Sequence, residues 1–159
     1  MTRATRSSSP TRVDVVVLDP AWAKTLPGVE RLVRRAARAV LGSRKRSLTV
    51  ALADDRRVQR LNKRDRRKDK PTNVLSYPSG ERRFLGDVVL ARQTVWREAR
   101  LQKKTPQAHI SHLVVHGTLH LLGYDHEDDS EAERMEALER RILARLGIAD
   151  PYGGEDQCG

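Results

Sequence analysis

Three of the chain's five histidines fall inside one stretch, His116-Gly117-Thr118-Leu119-His120-Leu121-Leu122-Gly123-Tyr124-Asp125-His126. On a helix, His116 and His120 are four apart and share a face, with Cβ atoms about 5–6 Å apart. Gly123 can take the left-handed conformation that ends a helix. The chain can then turn back and bring His126 towards the other two imidazoles. Three nitrogens converging on one point, with a fourth position open, are what a catalytic zinc requires.

The spacing H-x-x-x-H-x-x-G-x-x-H is the ligand spacing of the metzincin zinc proteases. It makes His116, His120 and His126 the expected ligands of one Zn2+ per chain. His112 and His116 are also an i, i+4 pair, but only the later pair is followed by the glycine turn and a further histidine. His109 and His112 are therefore expected to pack, or to steady the ligands from behind. Zinc peptidases carry a glutamate right after the first histidine as general base; here that position is Gly117, which excludes that route. Zinc can still bring a water's pKa down to about 7, so metal-assisted hydrolysis survives. A base would have to come from elsewhere, and Asp125, Glu127 and Asp87 are the candidates, unranked by spacing.

The charge balance points to a polyanion. The net charge is +10 over 159 residues. Residues 125–159 carry eleven Asp/Glu against four Lys/Arg, a balance of −7, which leaves +17 on the preceding 124. The most basic stretch runs from Arg56 to Lys70, with nine Lys/Arg and two acidic residues. Phosphates are the obvious partner. Aromatics make up only 4% of the chain, which argues against a large platform for stacking bases. Cys158 is the only cysteine, so no intrachain disulfide forms, in keeping with a reducing compartment. The longest purely aliphatic run, Val15 to Leu18, is far short of the roughly 20 residues of a membrane span, so no membrane partner is expected.

One domain over residues 13–152 is expected, with residues 1–12 a disordered basic tail and 153–159 a short C-terminal tail. Val13 to Asp19, Leu48 to Ala53, Thr72 to Tyr77 and Leu85 to Ala91 read as strands, the last two joined as a hairpin. Pro27 to Leu41 and Thr94 to Gln102 read as helices, and Asp54 or Asp55 caps another between the second and third strands. Thr105 caps the motif helix, with Pro106 in its first turn and Ile110, Leu113, Val114, Gly117 and Leu121 as its apolar stripe. A last helix spans about Ser130 to Leu146, with Ser130 and Glu133 at capping-box spacing. The fold class is α+β: a single domain with a mixed four-stranded sheet packed with helices and a zincin-like zinc-binding helix.

These residues resemble the YbeY family of endoribonucleases, which act in ribosomal RNA maturation. The resemblance rests on the HGxLHLxGYDH signature at 116–126. It extends to Leu61-Asn62, Arg66, Asp69 to Ser76 (DKPTNVLS), Leu85-Gly86-Asp87 and Met135 to Glu139 (MEALE), covering about residues 13–152. It implies a zinc-binding α+β fold and single-strand-specific RNA cleavage in the cytoplasm. It also implies a role in maturing the 3′ end of small-subunit (16S) rRNA and in ribosome quality control, with ribosomal RNA and the small subunit as partners. It carries the zinc ligands onto His116, His120 and His126, and a functionally important arginine onto Arg66.

A guanidinium at Arg66 would bind nonbridging phosphate oxygens bidentately. Lys63, Arg64, Arg67, Lys68 and Lys70 would grip the RNA backbone. Asp87 and Asp125 are candidates to hold or serve the metal-site imidazoles, with His112 beside them. Where the family commonly has an aromatic residue before this arginine, the chain has Asp65. The alternative reading is a ribosome-assembly factor that binds RNA or protein, with a mainly structural zinc.

Overall fold

The computed structural model describes residues 11–66, 72–125 and 127–152. Four strands form one sheet in the order β1-β2-β4-β3: β1 (Arg12–Val17), β2 (Ser47–Ala53), β3 (Val74–Pro78) and β4 (Phe84–Ala91). β1, β2 and β4 run parallel, and β3 is antiparallel to β4 as its hairpin partner. Six helices are described: α1 (Ala21–Thr25), α2 (Val29–Leu41), α3 (Asp55–Arg66), α4 (Arg92–Leu101), α5 (Pro106–Leu121) and α6 (Asp129–Arg145). This is the expected mixed four-stranded α+β architecture. Arg12, expected in the tail, instead pairs with Ser47 as the first residue of β1.

The two faces of the sheet are covered unequally. On one face Leu48, Val50, Leu52, Val88 and Leu90 meet Val33, Ala37 and Val40 of α2 and Ile110 and Val114 of α5, all buried in the main core. On the other, α3 lays Val58 and Leu61 over Leu75, Val89 and Ala91. α5 is buried on nearly all sides: Val115, Thr118 and Leu119 are covered as well as the expected stripe. The single apolar stripe read from its sequence is therefore too narrow, because α5 lies between the sheet and helices on its flanks.

Caps and turns explain where the elements stop. The Thr105 hydroxyl accepts from the Ala108 N–H at 3.0 Å, with Pro106 just inside α5. Gly123 has φ +106°, and the N–H groups of Gly123 and Tyr124 donate to the carbonyls of His120 and Leu119, closing α5 as its sequence predicts. Both aspartates at the start of α3 are used. Asp54 accepts from the Arg57 N–H, and Asp55 reaches the Thr94 N–H and hydroxyl at the start of α4. At α6 the cap is Asp128, which accepts from the Glu131 N–H, not Ser130. An ionised carboxylate at a helix N-terminus also gains from the helix dipole.

Candidate metal centre

α5 brings His112, His116 and His120 onto one side. The rings of His116 and His120 have centroids 4.7 Å apart at 79°. Those of His112 and His116 are 6.3 Å apart at 78°. Opposite this row, α6 presents Glu139, whose side chain is fully buried. One of its oxygens, Oε2, lies 2.6 Å from His116 Nδ1. The other, Oε1, is 3.2 Å from His112 Nε2 and accepts a short hydrogen bond from the Tyr152 hydroxyl. A buried carboxylate is tolerated only when donors surround it. Burial alone pushes the Glu139 carboxyl up, but His112, His116 and Tyr152 together outweigh it and hold the group down at about 2. Burial, and then the adjacent Glu139 charge, push the Tyr152 hydroxyl up, so it stays a donor.

An ionised Glu139 fixes the protons on both rings. His116 donates through Nδ1–H, which makes Nε2 the nitrogen suited to a metal. His112 donates through Nε2–H towards Glu139 or Tyr152, whose hydroxyl oxygen is also 3.2 Å away. His112 is thus held by the same carboxylate that orients His116.

A second carboxylate–histidine link stands one turn earlier. Glu98 of α4 lies 2.8 Å from His109 Nε2 and accepts from the Asn73 amide at 3.0 Å. Asn73 is accordingly engaged with Glu98, and the Ser76 hydroxyl donates to the Gly117 carbonyl at 3.4 Å. The first ties α4 to the entry of β3, and the second ties α5 to β3 itself.

Gly117 has a packing reason to be glycine. A Cβ there would sit 2.9 Å from Val88 Cγ1 and 3.2 Å from Ser76 Oγ. Position 117 faces the sheet at close approach, so the glutamate of the peptidase pattern has no room.

The remaining residues expected at the site fall in different places. Asp87 lies on the wrong face to hold a histidine of α5. It pairs with Tyr77 and Thr49, beside the smaller core under α3, whereas its neighbour Val88 meets Gly117. Its carboxyl is pushed up by burial. Asp125 follows the α5 turn, half-buried. Arg66 is the last residue of α3. Lys63 and Arg64 are exposed on α3 and line a groove with Arg57, Arg60 and Leu61. Arg64 is held bidentately by its neighbour Asp65, at 2.7 and 3.0 Å. Arg67, Lys68, Lys70 and His126 lie outside the described residues.

The donor chemistry suits zinc. Two imidazoles, one of them oriented by a carboxylate, are a usual part of such a set. Among the described residues no three His, Cys, Asp or Glu side chains are grouped to hold a metal. His116 and His120 are the two described members of the expected trio. Glu139 and Tyr152 are site residues that spacing alone did not reveal. The only sequence signal for Glu139 was its place at the end of the MEALE stretch.

Fold and site together define a class: an α+β domain whose central helix carries a histidine row braced by a buried carboxylate. The profile of the family described as Endoribonuclease YbeY matches residues 21–147. An Endoribonuclease YbeY of Azorhizobium caulinodans is 51% identical over 152 residues, covering 88% of this chain and 95% of that protein. One of Paramagnetospirillum magneticum is 50% identical over 149 residues, covering 84% and 91%. The chain belongs to the YbeY family. The solution structure of TM1509 from Thermotoga maritima shares the fold, with a TM-score of 0.55 at 23% identity over 84% of this chain and 91% of that one. Among the described residues no helix is long and apolar enough to cross a membrane.

Proposed function

We propose that this protein is a zinc-dependent endoribonuclease that cleaves single-stranded RNA, acting in the cytoplasm on the 3′ end of small-subunit rRNA during ribosome maturation and quality control. Membership of a family whose relatives are named endoribonucleases supports the RNA phosphodiester as the bond that is hydrolysed. The observation that carries the metal part is the 2.6 Å contact between Glu139 Oε2 and His116 Nδ1 beside His120. A carboxylate behind an imidazole raises the basicity of its other nitrogen and fixes the ring.

In this reading His116, His120 and His126 hold the ion, which supplies Lewis acidity at the scissile phosphate when bound. Glu139 keeps the His116 tautomer, and His112 and Tyr152 keep Glu139 ionised. Arg66 binds the nonbridging oxygens as charge develops on them. The cations at Lys63, Arg67, Lys68 and Lys70 hold the flanking backbone without reading sequence. Arg64 contributes less, because Asp65 already occupies its guanidinium.

The test is metal content and cleavage of an rRNA fragment by wild type, His116→Ala and Arg66→Ala. The expected result is loss of metal with loss of cleavage in the first variant, and loss of cleavage with metal retained in the second. Undiminished cleavage by both would overturn the assignment. Product ends, cyclic phosphate or 5′-phosphate, decide between the RNA's own 2′-hydroxyl and water as the nucleophile.

A further inference from the structure

Five cations from two connections outside the basic helix meet at one end of the sheet. Arg44, Lys45 and Arg46 lie in the connection from α2 to β2, and Arg82 and Arg83 in the hairpin from β3 to β4. They line a cleft of about 430 Å³, and among the described residues no acidic one lines it with them. The backbone fixes their proximity. Ser47 N–H donates to the Arg83 carbonyl at 2.8 Å, and Arg12 N–H donates to the Arg46 carbonyl at 3.3 Å. The entries to β1, β2 and β4 are thereby tied side by side. Arg44 turns one nitrogen back to the last carbonyls of α2, those of Val40 and Leu41. Lys45, Arg46 and Arg82 make no side-chain hydrogen bond or ion pair with any described residue.

Gathering five like charges around one cleft raises the energy of the folded chain. A polyanion bound across them reverses that sign. The topology also says where such a polyanion would run. α5 travels alongside β3 in the same direction: Glu98 joins Asn73 at the start of β3 to His109, and Ser76 then meets Gly117. From Gly117 to His120 is about 4.5 Å of helix rise, and from Ser76 to Pro78 is about 6.6 Å of strand. His120 therefore stands level with the end of β3, and the chain passes from there straight into the hairpin that carries Arg82 and Arg83. The cationic cleft and the histidine end of α5 share one end of the molecule.

We propose that the cleft formed by Arg44, Lys45, Arg46, Arg82 and Arg83 is a docking site for the phosphodiester backbone of the RNA strand, beyond the bond that is cut. The proposal rests on the nuclease reading above and extends it. It gives the substrate a second point of attachment at the histidine end of α5, formed by residues remote in sequence from the Arg56 to Lys70 run. An unstructured strand suits the cleft, since contacts to phosphate position a chain without reading its bases.

The experiment uses the full chain and a labelled single-stranded RNA longer than the roughly 4–16 nucleotides that single-strand-binding domains span. Affinity is measured over a salt series for wild type, for Lys45→Gln with Arg82→Gln, and for a charge-matched control, Arg31→Gln with Arg35→Gln on α2. The cleft variant is expected to bind roughly ten-fold more weakly. Its log–log salt slope should become shallower by about 1.4, since each phosphate that a cation no longer neutralises on a single strand removes about 0.7. Equal weakening in the control would reduce the effect to net charge and overturn the proposal. So would unchanged RNA affinity accompanied by lost binding of polyglutamate, which would assign the cleft to an acidic protein. Wild type that binds and cuts RNA while the cleft variant matches it in affinity and slope sinks the docking site alone. Wild type that does not bind RNA sinks the nuclease reading with it.

Discussion

Glu139 Oε2 lies 2.6 Å from Nδ1 of His116, on a carboxylate with no solvent exposure at all. Twenty-three residues separate the two in sequence, and the crossing of α5 and α6 brings them together. A single oxygen thereby sets the tautomer of an expected metal ligand.

Replacing that carboxylate by an amide keeps its shape and removes its charge. Glu139→Gln is expected to weaken zinc binding about 10–100-fold, the usual effect of removing a carboxylate that orients a ligating histidine. Competition against a chromogenic chelator measures this directly. Unchanged affinity would show that His116 needs no partner.

Tyr152 gives a graded version of the same test. Tyr152→Phe keeps the ring against His112, at 5.4 Å between centroids, and deletes the donor to Glu139. Two donors remain on the carboxylate, so the loss of zinc affinity should be several-fold and smaller than for Glu139→Gln. Tyr152 lies outside the 21–147 segment that matches the family profile, so the brace extends past that segment. An effect as large as that of Glu139→Gln would mean that the hydroxyl, rather than the carboxylate, controls the site.

Gly117→Ala pits two effects against each other. Alanine in place of glycine gains about 0.8–1.0 kcal/mol of helix propensity. Forcing a methyl to 2.9 Å from a valine methyl costs about 1–3 kcal/mol, because a β-branched side chain has few rotamers to retreat into. Net destabilisation of about 0–2 kcal/mol is expected, read as a lower midpoint in urea. A more stable variant would refute the close approach of α5 to the sheet.

Acid should release the Glu98 link. Burial pushes the Glu98 carboxyl up, but bonds to His109 and Asn73 more than offset it and leave the group below its ordinary value. The unfolded chain therefore takes up this proton at higher pH than the native state does. The stabilisation is complete above the ordinary carboxylate range and is lost as pH falls through it. Glu98→Gln should lower the melting temperature at about pH 7, and the gap to wild type should narrow as pH falls below the ordinary carboxylate range. A gap independent of pH would assign the link to packing alone. In metal-free protein Glu139 follows the same sign, its contribution fading from about 4.5 down to about 2.

Local periodicity made most of the elements legible. The strands, the hairpin and the Thr105–Pro106 start of α5 depend on neighbours within a few residues. So does the pairing of His116 with His120, since four residues bring side chains together on any α-helix. The helix ends were harder. Ser130 and Glu133 have capping-box spacing, yet Asp128 is the residue whose side chain accepts from the Glu131 N–H in the first turn of α6.

Asp87 shows where counting fails. Alternation from Leu85 would turn Asp87 towards α5 with it. The register of β4 against β2 slips by one residue between Ser47 and Thr49, so Leu85 and Val88 both enter the main core. Gly86 accommodates the slip at φ +137°, and Asp87 ends on the opposite face. No pattern of single residues encodes that parity.

The sequence by itself determined the histidine ladder, the missing peptidase base at Gly117 and the excess of positive charge. Each is a matter of residue type and short spacing, which the 3.6-residue helix turns directly into geometry. Only the tertiary structure decided which carboxylate stands behind His116, which face Asp87 occupies, and that residues 44–46 and 82–83 line one cleft. Those relations join segments far apart in sequence. Helix crossing, strand order and register set the distances between them, and these follow from burial of the whole core rather than from any local run.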